Sequence, residues 1–242
     1  MFKNKVEFKG AVIGMILGDG HLMKQYANEN SKLMIHQSLK QKEYLEWKRE
    51  LLNYLTESNI HPTVSGEHKG LQLQTRRHPF YSALRERMYI GGRKTVDEHI
   101  LKSISVLGLA LWYQDDGCFC KNGRWKDDYS VQLYTNSFSE PEVNLIQYWL
   151  KKKFNIDFTV YKTYDKRKDS FYFILSLRNT KQERKIDKFF FLIKNFIHPS
   201  MKYKLGTYES NLENKVSDIV RTSEKSEEII RNDCPTSELV AC

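Results

Sequence analysis

Asp19 and Asp116 each follow an apolar run that ends in the dipeptide Asp-Gly, "VIGMILGDG" over 12–20 and "LALWYQDDG" over 109–117. The C-terminus of a helix is the negative end of its backbone dipole, so a carboxylate there is disfavoured. Two such carboxylates side by side repel, and the arrangement persists only with a compensating cation. Mg2+ prefers a few carboxylates together with waters and phosphate oxygens, and carboxylate sites also suit Mn2+. A metal held in this way can activate water and stabilise the leaving oxygen of an in-line displacement at phosphorus. A single Asp-Gly is a common turn dipeptide, and Gly just past a helix is a common cap. The repetition after two apolar runs that carry small residues is what singles out this pair.

The two acids are 97 positions apart in the chain, so the elements that carry them must bring them together. Gly10, Gly14 and Gly18 recur every four residues and share one helical face. Each glycine inside a helix costs about 0.5–1 kcal/mol relative to alanine, which close approach of a second helix can offset. The second run offers Gly108 and Ala110 among Leu107, Leu109, Leu111 and Trp112. Small residues of the first helix are therefore expected to face bulkier ones of the second. Nearly parallel packing then sets Asp19 beside Asp116.

Hydrophobic periodicity places the first helix near 9–19, a strand pair near 21–38 and a helix over 41–55 with Tyr44, Leu45, Leu51, Leu52 and Leu55 as its apolar stripe. A strand pair near 61–76, turning at "EHKG", and a helix from Pro79 follow. The order then repeats. A helix lies near 105–116, strands near 118–122 and 129–136, and a helix over 139–154 opened by a Ser139/Glu142 capping box. Strands near 157–164 and 171–178 and a helix near 181–195 complete it. Each half reads α-β-β-α-β-β-α, and a repeat of this period implies two similar lobes, 1–104 and 105–209. Residues 210–242, rich in Ser, Glu and Asn, are expected to form a flexible acidic tail.

The formal net charge of +9 is unevenly spread: +6 over 1–104, +6 over 105–209 and −3 over 210–242. A body this basic attracts polyanions, nucleic acid above all. "LQLQTRR" (71–77) alternates, so Gln72, Gln74 and Arg76 share a polar face opposite Leu71, Leu73 and Thr75. Gln pairs bidentately with adenine and Arg with guanine in the major groove. Lys24, Tyr26 and His36 in the first half, and Lys121, Arg124, Lys162, Tyr164 and Arg178 in the second, are further DNA-contact candidates. "KTYDKRKDS" (162–170), with Lys166, reads as a basic hairpin tip suited to phosphates. Gln37 and Asn136 follow the first strand pair of each half and are candidates to hold a water or a phosphate.

The four cysteines, Cys118, Cys120, Cys234 and Cys242, fit neither a disulfide framework nor a paired zinc site. No apolar stretch reaches the roughly 20 residues that span a bilayer, and "MFKNKVEFKG" lacks the apolar segment of a secretory signal. The protein is expected to be intracellular, in a bacterial or phage-host cytoplasm or an organelle matrix, with no membrane partner.

The two motifs resemble those of the single-chain LAGLIDADG homing endonucleases, the branch that includes a yeast mitochondrial intron-encoded enzyme. "RKTVDEHIL" (93–101), "YTNSFSEPEV" (134–143) and "HPSMKYKLG" (198–206) are similar to further segments of that branch. Leu17 and Gln114 stand where the family name has its first Asp. The resemblance implies an α+β fold of two αββαββα lobes, joined at a two-helix interface and forming a saddle over double-stranded DNA. It implies metal binding by Asp19 and Asp116, with Gly18 and Asp115 at the preceding motif position added to the metal site, Asp115 not as a main ligand. It places Lys94 and Lys204 near the metals as catalytic residues. The implied activity is Mg2+-dependent cleavage of both strands within a long asymmetric target, leaving short 3′ overhangs, by a monomer. The alternatives are a maturase acting on intron RNA and a non-catalytic DNA-binding regulator on the same scaffold.

Overall fold

The computed structural model describes residues 2–66, 68–122, 129–180 and 183–206. The sequence-predicted tail 210–242 and Arg124 lie outside the described residues. The chain divides into two units, Met1–Lys204 and Leu205–Cys242, and the elements below belong to the first.

Helix α1 (Lys5–Leu17) starts at Asn4, whose side chain accepts the backbone N–H groups of Val6 and Glu7. Strands β1 (Gly20–Met23) and β2 (Lys32–Ser38), helix α2 (Lys42–Leu52), strands β3 (Ser58–Ser65) and β4 (His68–Thr75) and helix α3 (Pro79–Met88) follow. A short insertion, β5 (Tyr89–Ile90), β6 (Arg93–Lys94) and α4 (Glu98–Ser103), leads to the second series. That series is α5 (Val106–Asp116), β7 (Gly117–Lys121), β8 (Tyr129–Tyr134), α6 (Glu140–Phe154), β9 (Thr159–Asp165), β10 (Ser170–Arg178) and α7 (Lys185–Ile193). The order αββαββα thus occurs twice, and the Ser139/Glu142 capping box opens α6 as expected.

Each series builds one four-stranded antiparallel sheet of the same topology, β1-β2-β4-β3 and β7-β8-β10-β9. Leu22, Leu33, Ile35, Leu71 and Leu73 form the buried face of the first sheet; Val131, Leu133, Leu175 and Leu177 form that of the second. Phe119 on this second face packs its ring 5.9 Å from Phe190 of α7, which identifies it as the helix side.

Helices α1 and α5 form the spine. Residues 10–17 of α1 and 107–114 of α5 are buried all round, the signature of a core helix. Gly10 lies against Ser105 and Gly108, Gly14 against Gly108, and Gly18 against Asp115, so the two helices run parallel. A methyl group at Gly14 would run into the backbone of Gly108, and one at Gly108 into the carbonyl of Gly10. The expectation that small residues meet bulky ones is therefore corrected. Glycine meets glycine, which brings the two backbones closer than any side chain would allow.

Candidate active site

Helix α1 ends at Leu17, two residues earlier than periodicity predicts. Gly18 leaves the helix at φ −79°, ψ −131°, while its N–H still reaches the Gly14 carbonyl at 3.1 Å. Asp19 therefore stands in the turn before β1, whereas Asp116 is the last residue of α5. The Asp19 backbone N–H donates to Asp115 Oδ2 at 3.2 Å, which ties the first motif directly to the second. Asp19 Oδ2 accepts from Gln37 Nε2 at 2.7 Å. Burial, then the Asp115 charge, raises the Asp19 carboxyl above its usual range. Burial, then Asp19 and Asp115, raises Asp116 further, to about 7.

Asp115 is engaged differently. Its side chain and that of Lys48 are both 0% exposed, and Lys48 Nζ donates to Asp115 Oδ1 at 2.6 Å. The Tyr44 hydroxyl donates to the same oxygen at 3.0 Å, and Gln37 Nε2 reaches it at 3.5 Å. Burial, with Asp115 beside it, holds the Tyr44 hydroxyl well above its usual range. Both carboxylate oxygens of Asp115 are thus taken by protein donors. Gly18 makes room for this carboxylate, since a methyl group there would clash with it. Sequence reasoning gave no role to Lys48. Its signal was present: residues 44, 48 and 52 share one face of α2, so a lysine interrupts the buried stripe.

Two lysines from distant segments each bond the backbone of one motif. Lys94 closes the β5–β6 hairpin, where Gly91 (φ 57°) and Gly92 (φ 81°) supply the two positive φ angles of a tight turn. The hairpin is braced by Tyr89, whose hydroxyl accepts the Leu22 N–H at 3.2 Å. Lys94 Nζ then donates to the Gly18 carbonyl at 3.0 Å. Lys204 lies in a 3-10 segment (Pro199–Leu205) and donates to the Asp115 and Gly117 carbonyls at 2.9 Å each. Gln114 and Tyr113 secure that segment: Gln114 Oε1 accepts the His198 N–H at 2.7 Å, and the Tyr113 hydroxyl donates to the Lys204 carbonyl at 2.8 Å. Burial lowers both ammonium groups below their usual range, and the three aspartates oppose that shift.

Asn136 is not gathered into this cluster. It is exposed just beyond β8, and no hydrogen bond ties it to either acid. Gln37, buried in β2, reaches Asp19, so the two candidates are not equivalent.

Strand register sorts the DNA-contact candidates. His36, Gln72 and Gln74 share the open face of the first sheet with Lys32 and His61. There Lys32 Nζ donates to Gln74 Oε1 at 2.7 Å, Gln74 Nε2 donates to Gln72 Oε1, and Gln72 Nε2 meets His36 Nε2 at 2.6 Å. Arg76 lies just past β4, exposed and paired with Glu57. Lys24 and the exposed Tyr26 occupy the loop after β1, and Lys166 the β9–β10 turn. Arg178 lies on the open face of the second sheet. Lys121, Lys162 and Tyr164 do not: cross-strand pairing puts them on the face of Phe119, Val131 and Leu175. Lys162 instead stacks over Phe171, 4.4 Å from its ring centre.

Among the described residues, no group of three or more His, Cys, Asp or Glu side chains could hold a metal ion. The Cys118 and Cys120 sulfurs approach to 2.8 Å without a third ligand, and burial pushes Cys120 up to about 12. The Asp19/Asp116 pair offers two hard oxygen ligands. Such a set fits Mg2+, which uses one or two carboxylates and completes its shell with waters and phosphate oxygens.

A model of the LAGLIDADG DNA endonuclease family matches residues 9–184. The chain belongs to this family. The LAGLIDADG chain is 27% identical over 203 residues to the cytochrome b mRNA maturase bI2 of Debaryomyces hansenii, covering 81% of this chain and 72% of that protein. It is 26% identical over 211 residues to the bI2 maturase of Saccharomyces cerevisiae and 27% over 203 residues to the protein RecA of Mycobacterium shimoidei. It spans only 47% and 45% of those two proteins. Its LAGLIDADG fold matches the homing endonuclease I-WcaI, solved bound to its DNA recognition sequence, with a TM-score of 0.69 at 22% identity over 85% of this chain and 88% of that one. Among the described residues no helix is long and apolar enough to cross a membrane.

Proposed function

We propose that the chain is a site-specific double-strand DNA endonuclease, acting as a monomer with residues 1–104 and 105–209 as its two lobes. Asp19 and Asp116 hold Mg2+, for which Mn2+ can substitute. The observation that carries this reading is the pair of acids at the ends of two parallel helices, flanked by Lys94 and Lys204. The Asp19 charge helps to raise Asp116, and a cation held between them would relieve that repulsion. Mg2+, when bound, supplies an activated water and stabilises the leaving oxygen. Gln37 orients Asp19, and the Lys48–Asp115 pair positions the Asp19 backbone. Lys94 and Lys204 steady the charge that develops on the phosphate. The basic body and the amide face of the first sheet support DNA as the polyanion. Cuts across the narrow minor groove would leave short 3′ overhangs.

The test begins with duplexes selected by the full chain from a random-sequence library in EDTA. Wild-type protein should cut them on addition of Mg2+ and leave them intact in EDTA. Lys204→Met should retain binding and lose most cleavage. Full cleavage by that variant, or in EDTA, refutes the assignment. The printed name of the two bI2 relatives, mRNA maturase, favours a second reading, an RNA maturase. A splicing-only protein would leave every selected duplex intact in Mg2+ and accelerate excision of its host intron.

A further inference from the structure

Four side chains on the open face of the first sheet form one hydrogen-bonded row. Lys32 Nζ donates to Gln74 Oε1 at 2.7 Å, Gln74 Nε2 donates to Gln72 Oε1, and Gln72 Nε2 meets His36 Nε2 at 2.6 Å. Lys32 and His36 lie on β2, Gln72 and Gln74 on β4, and Gln72 stands directly across from His36. Met34, across from Gln74, contributes only a thioether, which is a weak acceptor. Among the described residues, no side-chain hydrogen bond joins Asn59 or His61, the β3 partners of Gln74 and Gln72, to this row.

The members of the row differ in what they can do. An ammonium group donates and never accepts, so the Gln74 atom facing Lys32 must be its carbonyl oxygen. The Gln74 nitrogen then faces Gln72 and donates, so Gln72 turns its own carbonyl oxygen towards it. The Gln72 nitrogen in turn donates to His36 Nε2, which places the single proton of the neutral ring on Nδ1. Reversed, the row would be equally self-consistent from Gln74 onward. Each amide can exchange its oxygen and nitrogen by rotating, and the imidazole can carry its proton on Nε2 instead. Lys32 alone has a fixed sense. Each glutamine keeps one N–H and one carbonyl lone pair outside the row, the two groups that engage a base edge bidentately.

We infer that Lys32 is a positioning residue for base recognition. By fixing the sense of the row, it fixes the order in which Gln74 and Gln72 offer donor and acceptor along the major groove. An A·T pair shows its adenine N7 acceptor and N6 donor in one order across the groove, and T·A shows them in the opposite order. The O6 acceptor and N4 donor of G·C and C·G are related in the same way. An amide of reversed sense therefore suits the reverse of a base pair rather than the pair itself. This rests on the proposed reading of the chain as a DNA endonuclease, whereas the sense of the row is a property of the protein alone.

Two measurements on the full chain test it. The first is 15N NMR of the histidine rings at alkaline pH, where imidazoles are neutral, with His36→Asn used to assign the signals. Wild type should carry the His36 proton on Nδ1. Lys32→Glu, whose carboxylate only accepts, should move it to Nε2. The second is selection of duplexes from a random library in EDTA. The base pairs whose preference relaxes in Gln72→Ala and Gln74→Ala are those the row reads. There Lys32→Glu should prefer the reverse of each wild-type pair, by roughly 5- to 150-fold, the range of a good bidentate contact. Lys32→Met removes the anchor without adding a charge, and should accept a pair and its reverse about equally. A His36 proton on the same nitrogen in wild type and Lys32→Glu overturns the inference. So does a Lys32→Met or Lys32→Glu protein that keeps the wild-type pairs, or a selected sequence unchanged by both glutamine variants. Retention of no duplex by wild type overturns the DNA reading, and the inference with it, whichever nitrogen of His36 holds the proton.

Discussion

Replacing Lys48 with methionine keeps the volume of the α2 stripe and removes the cation that neutralises Asp115. Both side chains are 0% exposed and their charged atoms lie 2.6 Å apart. Breaking a buried pair by deleting one partner costs about 3–5 kcal/mol, because the remaining charge is left uncompensated in a low-dielectric site. Tyr44 and the Asp19 N–H still donate to Asp115 in the variant, which places the expected loss at the lower end, about 3 kcal/mol. In a chain of this size that lowers the melting temperature by roughly 6–12 °C. The assay is urea unfolding of the full chain in EDTA, followed by tryptophan fluorescence, for wild type, Lys48→Met, Asp115→Asn and the double variant. The double variant has neither buried charge and should recover about 2 kcal/mol relative to the sum of the single losses. A Lys48→Met protein within about 1 kcal/mol of wild type, or single losses that simply add, would refute the claim that this pair locks the second motif to the first.

Two other outcomes follow from the same geometry. In metal-free protein, burial, then Asp19 and Asp115, raises Asp116 from 3.8 to about 7. The folded state therefore binds the proton more tightly than the unfolded state, and stability falls as pH rises between those values. Asp116→Asn should be more stable than wild type at pH 8 in EDTA, by at most ~4 kcal/mol, and converge with it near pH 4; millimolar Mg2+ should narrow the gap at pH 8. Thermal unfolding across pH checks this, and an Asn variant that is less stable than wild type at pH 8 in EDTA contradicts it. Gly14→Ala puts a methyl group into the Gly108 backbone. Overpacking of this kind costs about 1–3 kcal/mol, read as a lower urea midpoint, whereas alanine's helix propensity alone would raise it.

Much of this was legible in the chain because long elements carry a period. The doubled αββαββα order, the glycine-bearing pair of helices and the capping box at Ser139 all come from patterns several turns or strands long. The β5–β6 hairpin that delivers Lys94 was not legible. Strands of two residues show no period, and only the adjacent Gly91 and Gly92 marked the turn. Lys121, Lys162 and Tyr164 were misplaced for another reason. "FYFIL" in the middle of β10 is apolar or aromatic on both faces, so the alternation that reveals the buried side of β4 is hidden there. Lys48 was passed over because a charge within an apolar stripe reads as a surface residue until its partner, 67 positions away, is seen.

The central claim is that Asp19 and Asp116 jointly hold the ion that cuts DNA. Strand-resolved cleavage of a selected duplex in Mg2+, with each strand labelled separately, tests it directly for wild type, Asp19→Asn and Asp116→Asn. Wild type should cut both strands, and each variant should bind the duplex while losing cleavage of at least one strand. A variant at either position that binds and cuts both strands at the wild-type rate would contradict the account.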